Sequence, residues 1–141
     1  MEGWGLYAES LGREMGFYVD PYDHFGQLAS ELLRAVRLVV DTGLHALGWS
    51  RERAIAYFTA ESTTAHHEVL TEVDRYLSIP AQALSYKLGE LTISRLRREA
   101  TAALGERFDV RAFHDLVLGA GPLPLDVLEE RARGWIAERA G

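Results

Sequence analysis

The chain has 141 residues, 21 of them acidic and 15 basic, and the resulting net charge of -6 argues against a phosphate backbone as partner. It has no cysteine, which excludes disulfides, thiolate metal sites and a thiol nucleophile while leaving the compartment open. Hydrophobic residues make up 48%, ample for the core of one domain over residues 1–141, and no apolar run is long enough to cross a bilayer, since Leu38-Val39-Val40 soon meets Asp41 and His45.

Apolar residues recur at helical spacing, β-branched runs are short and no Asn-Gly or Asp-Gly hairpin signal occurs. The expected fold is all-α, a compact domain of six or seven helices. Glu2-Gly3-Trp4-Gly5-Leu6-Tyr7-Ala8-Glu9 packs two carboxylates and two aromatics into the opening turns. It reads as an interior element of a longer protein, so the chain is expected to be a C-terminal part whose chemistry needs the part before it. The first helix is expected over about Trp4 to Phe17. Asp20 and Pro21 then stop it and start a long second helix to about Leu47, closed by Gly48. Ser50 caps a short third helix to about Ala60, and Thr63 or Thr64 caps a fourth to about Leu77. Pro80 starts a fifth through Leu104, Asp109 a sixth to Leu118, and Pro124 the last to about Arg139.

On the second helix Leu33, Val36, Val40, Leu44 and Leu47 form a core-facing seam, and Arg34, Arg37, Asp41 and His45 run directly beside it. Such a polar line suits either interhelical ties or the wall of a cleft. As a cleft wall, Asp41 would orient the His45 ring by a hydrogen bond, and Arg37 would hold Asp41 ionised or reach a substrate carboxylate. On the first helix Glu2, Gly5, Glu9 and Arg13 share a face, with Gly5 leaving room for a close approach. Glu2 alone reads as a solvated residue at a helix start unless something else supports it.

No His-Glu-x-x-His motif is present. His66-His67-Glu68 places its two rings on different helix faces and reads as surface. Near the proline-led helix start, Gln82, Tyr86 and Gly89 share a face, with Lys87 about 100° from Tyr86. Lys87 is the chain's single lysine against fourteen arginines. Phenol and amide groups there could grip a carboxylate or steady an oxyanion, or Tyr86 could simply pack in the core.

Five pieces occur in order: Glu-Gly-Trp-x-x-Tyr-x-Glu from residue 2, Arg-x-x-x-Asp-Thr-Gly-Leu-His-x-x-Gly-Trp-Ser from 37, Arg-Tyr-x-x-x-Pro-x-Gln-Ala-x-x-Tyr-Lys-x-Gly from 75, Phe-Asp-x-Arg-x-Phe-His from 108, and Gly-x-Leu-Pro-Leu from 121. Together they resemble the C-terminal part of the bacterial domain-of-unknown-function family eight-eight-five, whose full-length members look like helical zinc peptidases related to the gluzincins. The resemblance implies a His-Glu zinc motif upstream, with Glu2 as a further metal ligand. It implies that His45 and Tyr86 are catalytic, and that Arg37, Gln82 and Lys87 line the peptide-binding cleft. Zinc would polarise the scissile carbonyl and acidify its water, an upstream Glu would take the proton, and His45 or Tyr86 would steady the oxyanion. Where the family pattern has Gly before the Gln, this chain has Ala81. Without the upstream donors Glu2 cannot hold zinc, so the chain alone is expected to be inactive and metal-free. The alternative is a non-catalytic helical interaction or oligomerisation module, whose bare apolar faces would favour a homodimer.

Overall fold

A computed structural model describes residues 1–141 and contains seven α-helices, one 3-10 turn and no strand. The helices are α1 (Glu2–Glu14), α2 (Pro21–Ala46), α3 (Arg51–Glu61), α4 (His66–Ser78), α5 (Leu84–Leu104), α6 (Val110–Leu118) and α7 (Leu125–Ala140). None is long and apolar enough to cross a membrane.

Three of the expected starts follow from side-chain caps. Asp20 accepts from the Tyr22 amide, Ser50 from that of Arg53 and Asp109 from that of Arg111, each satisfying an amide the first helical turn leaves orphaned. Two expectations need correction. Neither Thr63 nor Thr64 caps α4: Ala65 is the residue before it, because Ser62 accepts from the Thr64 amide and extends the preceding turn. Pro80 does not start α5 either. Ala81 sits at φ +67°, left-handed backbone that no helix tolerates, and α5 begins only at Leu84. Gln82 therefore lies in a turn and not on the helical face of Tyr86 and Gly89.

Two apolar cores form. One joins α1, α5, α6 and α7 around Tyr7, Leu96, Phe113 and Ala132; the other joins α2, α3 and α4 around Val40, Phe58, Val69 and Tyr76. Burying each large side chain stabilises the fold by about 2 kcal/mol. The seam expected on α2 is present, with Val36 and Val40 buried and Leu33 and Leu44 packed against the second core, while Leu47 is exposed. Between the cores, α5 lies against α1 on one side and α2 on the other.

The α1–α5 contact is made by glycine. A Cβ added to Gly3 would come within 2.4 Å of the Gly89 Cα, and one on Gly89 within 2.8 Å of the Gly3 Cα. Backbone thus meets backbone. Gly5, where the sequence suggested a close approach, faces open space. From this crossing the two helices run in the same direction, since Glu14 of α1 meets Arg97 of α5 further along.

Candidate functional site

The polar line of α2 faces α4 and α5, where it becomes a closed network. Arg37 is buried; its Nη2 donates to Glu72 Oε2 at 2.7 Å and its Nε donates to the Tyr76 hydroxyl at 2.9 Å. Tyr76 in turn donates to the same Glu72 oxygen at 2.6 Å. Burial opposes the Arg37 charge, but Tyr76 and Glu72 keep its pKa above the ordinary arginine value. For Glu72 burial acts in the opposite direction to the Tyr76 hydrogen bond and the Arg37 and Arg75 charges, which prevail and hold the carboxyl below its usual range. Burial, then Glu72, push the Tyr76 phenol well up. All three therefore keep their ordinary neutral-pH forms, and the triangle is an internal tie.

Asp41 and His45 do not meet as expected. Both Asp41 oxygens accept from the Ala81 amide at 3.2 Å, and His45 Nε2 lies 3.0 Å from the Tyr76 carbonyl. A carbonyl only accepts, so in neutral His45 Nε2 carries the proton and Nδ1 the lone pair. Asp41 instead anchors the strained Ala81 turn, and it is only 2% exposed. Gly43 of the same motif seats Trp49, whose indole would lie 2.5 Å from any added Cβ. Much of the stretch from 37 to 50 is thus framework, joining α2, α3, α4 and the turn before α5.

The remaining sequence candidates divide. Gln82 Oε1 accepts from Arg75 Nη2 at 2.6 Å, and Arg75 also reaches Glu72. Lys87 Nζ lies 2.7 Å from Glu31 Oε1 and 2.8 Å from Glu90 Oε2, bridging α5 to α2. Burial would lower its pKa, but the two carboxylates keep it raised. Tyr86 is half-buried, with the guanidiniums of Arg37 and Arg34 at 5.1 Å and 6.0 Å from its ring centre. Of His45, Arg37, Gln82, Lys87 and Tyr86, only Tyr86 keeps its polar atom free of an intramolecular partner. His66 and His67 are exposed, as their adjacency implied.

Glu2 is exposed at the start of α1, on the rim of an apolar cavity it shares with Trp4, Ser85 and Gly89 but with neither His45 nor Tyr86. No three His, Asp or Glu side chains come together as a metal would require. The donor set of this chain by itself does not fit zinc, and Glu2 stands as a single carboxylate.

One histidine that sequence reasoning passed over is well placed. His114 Nε2 lies 2.9 Å from the Tyr7 hydroxyl, and its ring meets Trp4 edge-on at 5.1 Å. Burial and the Arg97 charge hold its pKa below the usual histidine value. The Phe-His pair of the fourth motif was the available signal, but nothing in it revealed a partner 107 residues away.

Residues 1–131 match a family described as bacterial protein of unknown function (DUF885). No curated protein matches the chain. A crystal structure from Colwellia psychrerythraea, described as a "putative lipoprotein", is 48% identical with a TM-score of 0.93 over 97% of this chain and 24% of that one. This chain therefore spans about a quarter of that protein's length.

Proposed function

The chain belongs to the DUF885 family of bacterial proteins, and on that footing we propose that it is the C-terminal part of a zinc-dependent, peptidase-like protein. In this reading Glu2 supplies one metal-ligand carboxylate and the remaining donors, a His-Glu motif, lie upstream. Tyr86 and His45 act on the peptide substrate. Arg37, Gln82 and Lys87, engaged with Glu72, Arg75, Glu31 and Glu90, shape the cleft by bracing it. The chain alone is inactive.

The observation that carries the reading is the glycine contact. It sets the start of α1 against the second turn of α5, so that Glu2 and Tyr86 stand one and three residues from the two touching glycines, although they line no common cavity. With its ring pinned by two guanidiniums, Tyr86 can donate its O–H to the oxygen that gains charge as a peptide carbonyl is attacked. His45, fixed through Nε2, offers Nδ1 as an acceptor. This chain does not by itself assemble the metal's site.

Joined to its upstream sequence, the protein should bind one zinc and cleave peptides. Tyr86→Phe should then lower kcat by about 10²–10³-fold at unchanged zinc content, the usual loss for one oxyanion donor. Glu2→Gln should reduce zinc content at least tenfold. A zinc-replete protein that cleaves nothing in a mixed peptide library, or a Tyr86→Phe variant with full kcat, would overturn the proposal.

A second reading has its own observation. Phe25, Leu28, Leu32 and Val39 on α2 are 59%, 47%, 43% and 37% exposed and fall on one stripe of the helix. Such a stripe suits a non-catalytic interaction module that pairs with a second copy.

A further inference from the structure

The fifth sequence motif, Gly121 to Leu125, has no part in the proposed chemistry, yet it walls a cavity lined mostly by apolar side chains. This cavity holds about 400 Å³, within the range of small-ligand pockets, between the start of α1, the first turns of α5 and the segment linking α6 to α7. Its body is apolar: Trp4, Ile93, Val117, Leu123 and Leu128 face it. Glu2 and Ser85 are its polar neighbours toward solvent.

Two features keep it from collapsing. The Gly3–Gly89 contact locks α1 onto α5, so the inner wall cannot slide. The outer wall is stiffened by Pro122 and Pro124, which fix their own φ, and by Gly121 at φ +71°. A void that is apolar, preformed and open to solvent at its mouth favours an apolar group that enters without reordering its walls. At the mouth, the Glu2 carboxylate repels an anion and tolerates amide N–H donors.

We propose that this cavity is a subsite for an uncharged apolar side chain of a peptide, held beside Glu2. The identity of the ligand rests on the peptide-cleavage reading, whereas the subsite itself can be tested without metal or hydrolysis. The three indole N–H resonances of the chain report separately, because Trp49 packs on Tyr57 and Arg53, and Trp135 on Phe113 and Arg139, away from the cavity.

The chain should be titrated with N-acetyl amides of leucine, phenylalanine, glycine and glutamate and followed by NMR. The leucine and phenylalanine probes should move the Trp4 indole and the Ile93 and Leu128 methyls, with no saturating shift from the glycine or glutamate probes. Leu125→Glu or Leu118→Glu, at positions 38% and 48% exposed, should weaken the apolar probes at least tenfold with helix content unchanged. Shifts scattered over the surface, equal binding of the glutamate probe, or unaltered binding in both variants would overturn the subsite. Saturable Trp4 shifts in a family whose assembled protein cleaves no peptide would sink the earlier reading and leave the subsite standing. A silent Trp4 in a chain whose assembled form does cleave would do the reverse.

Discussion

Ala81 is the residue where sequence and backbone disagree most openly. Its φ of +67° is backbone that suits glycine, and Asp41 holds the strained turn by accepting its amide with both oxygens. Ala81→Gly should therefore stabilise the chain by about 1 kcal/mol, read as a higher urea midpoint, because the left-handed penalty exceeds the added freedom of the unfolded glycine. At Arg37 the expectation is opposite in sign. Glu72→Ala leaves a buried guanidinium with no counter-ion and only the Tyr76 hydroxyl as hydrogen-bond partner, and about 3 kcal/mol should be lost. A double-mutant cycle with Tyr76→Phe should show strong coupling, since both groups share one Glu72 oxygen. The identities of Arg37, Asp41 and His45 were legible as a polar line beside a seam. Their partners were not: Glu72, Ala81 and Tyr76 come from elements 31 to 40 residues away, and helical spacing says nothing about what lies across an interface.

Among the helices, α1 and α5 are held closest. Gly89→Ala would put a methyl group into the Gly3 backbone and should cost about 1–3 kcal/mol, as overpacking does elsewhere, with Gly3→Ala behaving alike. Thermal melts of both variants check this, and unchanged melting would mean that the helices separate freely. On α2, Leu32→Glu interrupts the exposed apolar stripe at little cost to the fold. If the stripe pairs copies of the chain, sedimentation should show the wild type dimerising and this variant monomeric. Seven helices and most of their ends were readable because capping chemistry is local. Asp20, Ser50 and Asp109 each act within three residues of themselves. The start of α5 was misread because its cause is not local: Pro80 is a good first residue, but Asp41, forty positions earlier, captures the next amide and holds a turn in place of a helix.

Acid should weaken the whole molecule in two stages. His114, held below the ordinary 6.5 by burial and by Arg97, resists a proton that the unfolded chain accepts, so stability falls as pH drops through about 6.5. Glu14, lowered chiefly by its Arg97 bonds, and Glu72 add stability that is present above the unfolded value of 4.5 and lost as pH falls further through their folded values. Urea midpoints taken from pH 8 to pH 3 should show both stages, and His114→Gln should flatten the first while leaving the second. At this scale all-α architecture was plain in the sequence, whereas the division into two apolar cores was not, because both draw on the same residue types at the same period. That division bears on cooperativity. Lys87 with Glu31 and the arginine stack on Tyr86 join the halves through charge instead of shared oil. Such a seam has a cheap point of failure: in Lys87→Ala the halves should melt out of step, and calorimetry should return a measured enthalpy larger than the van't Hoff value.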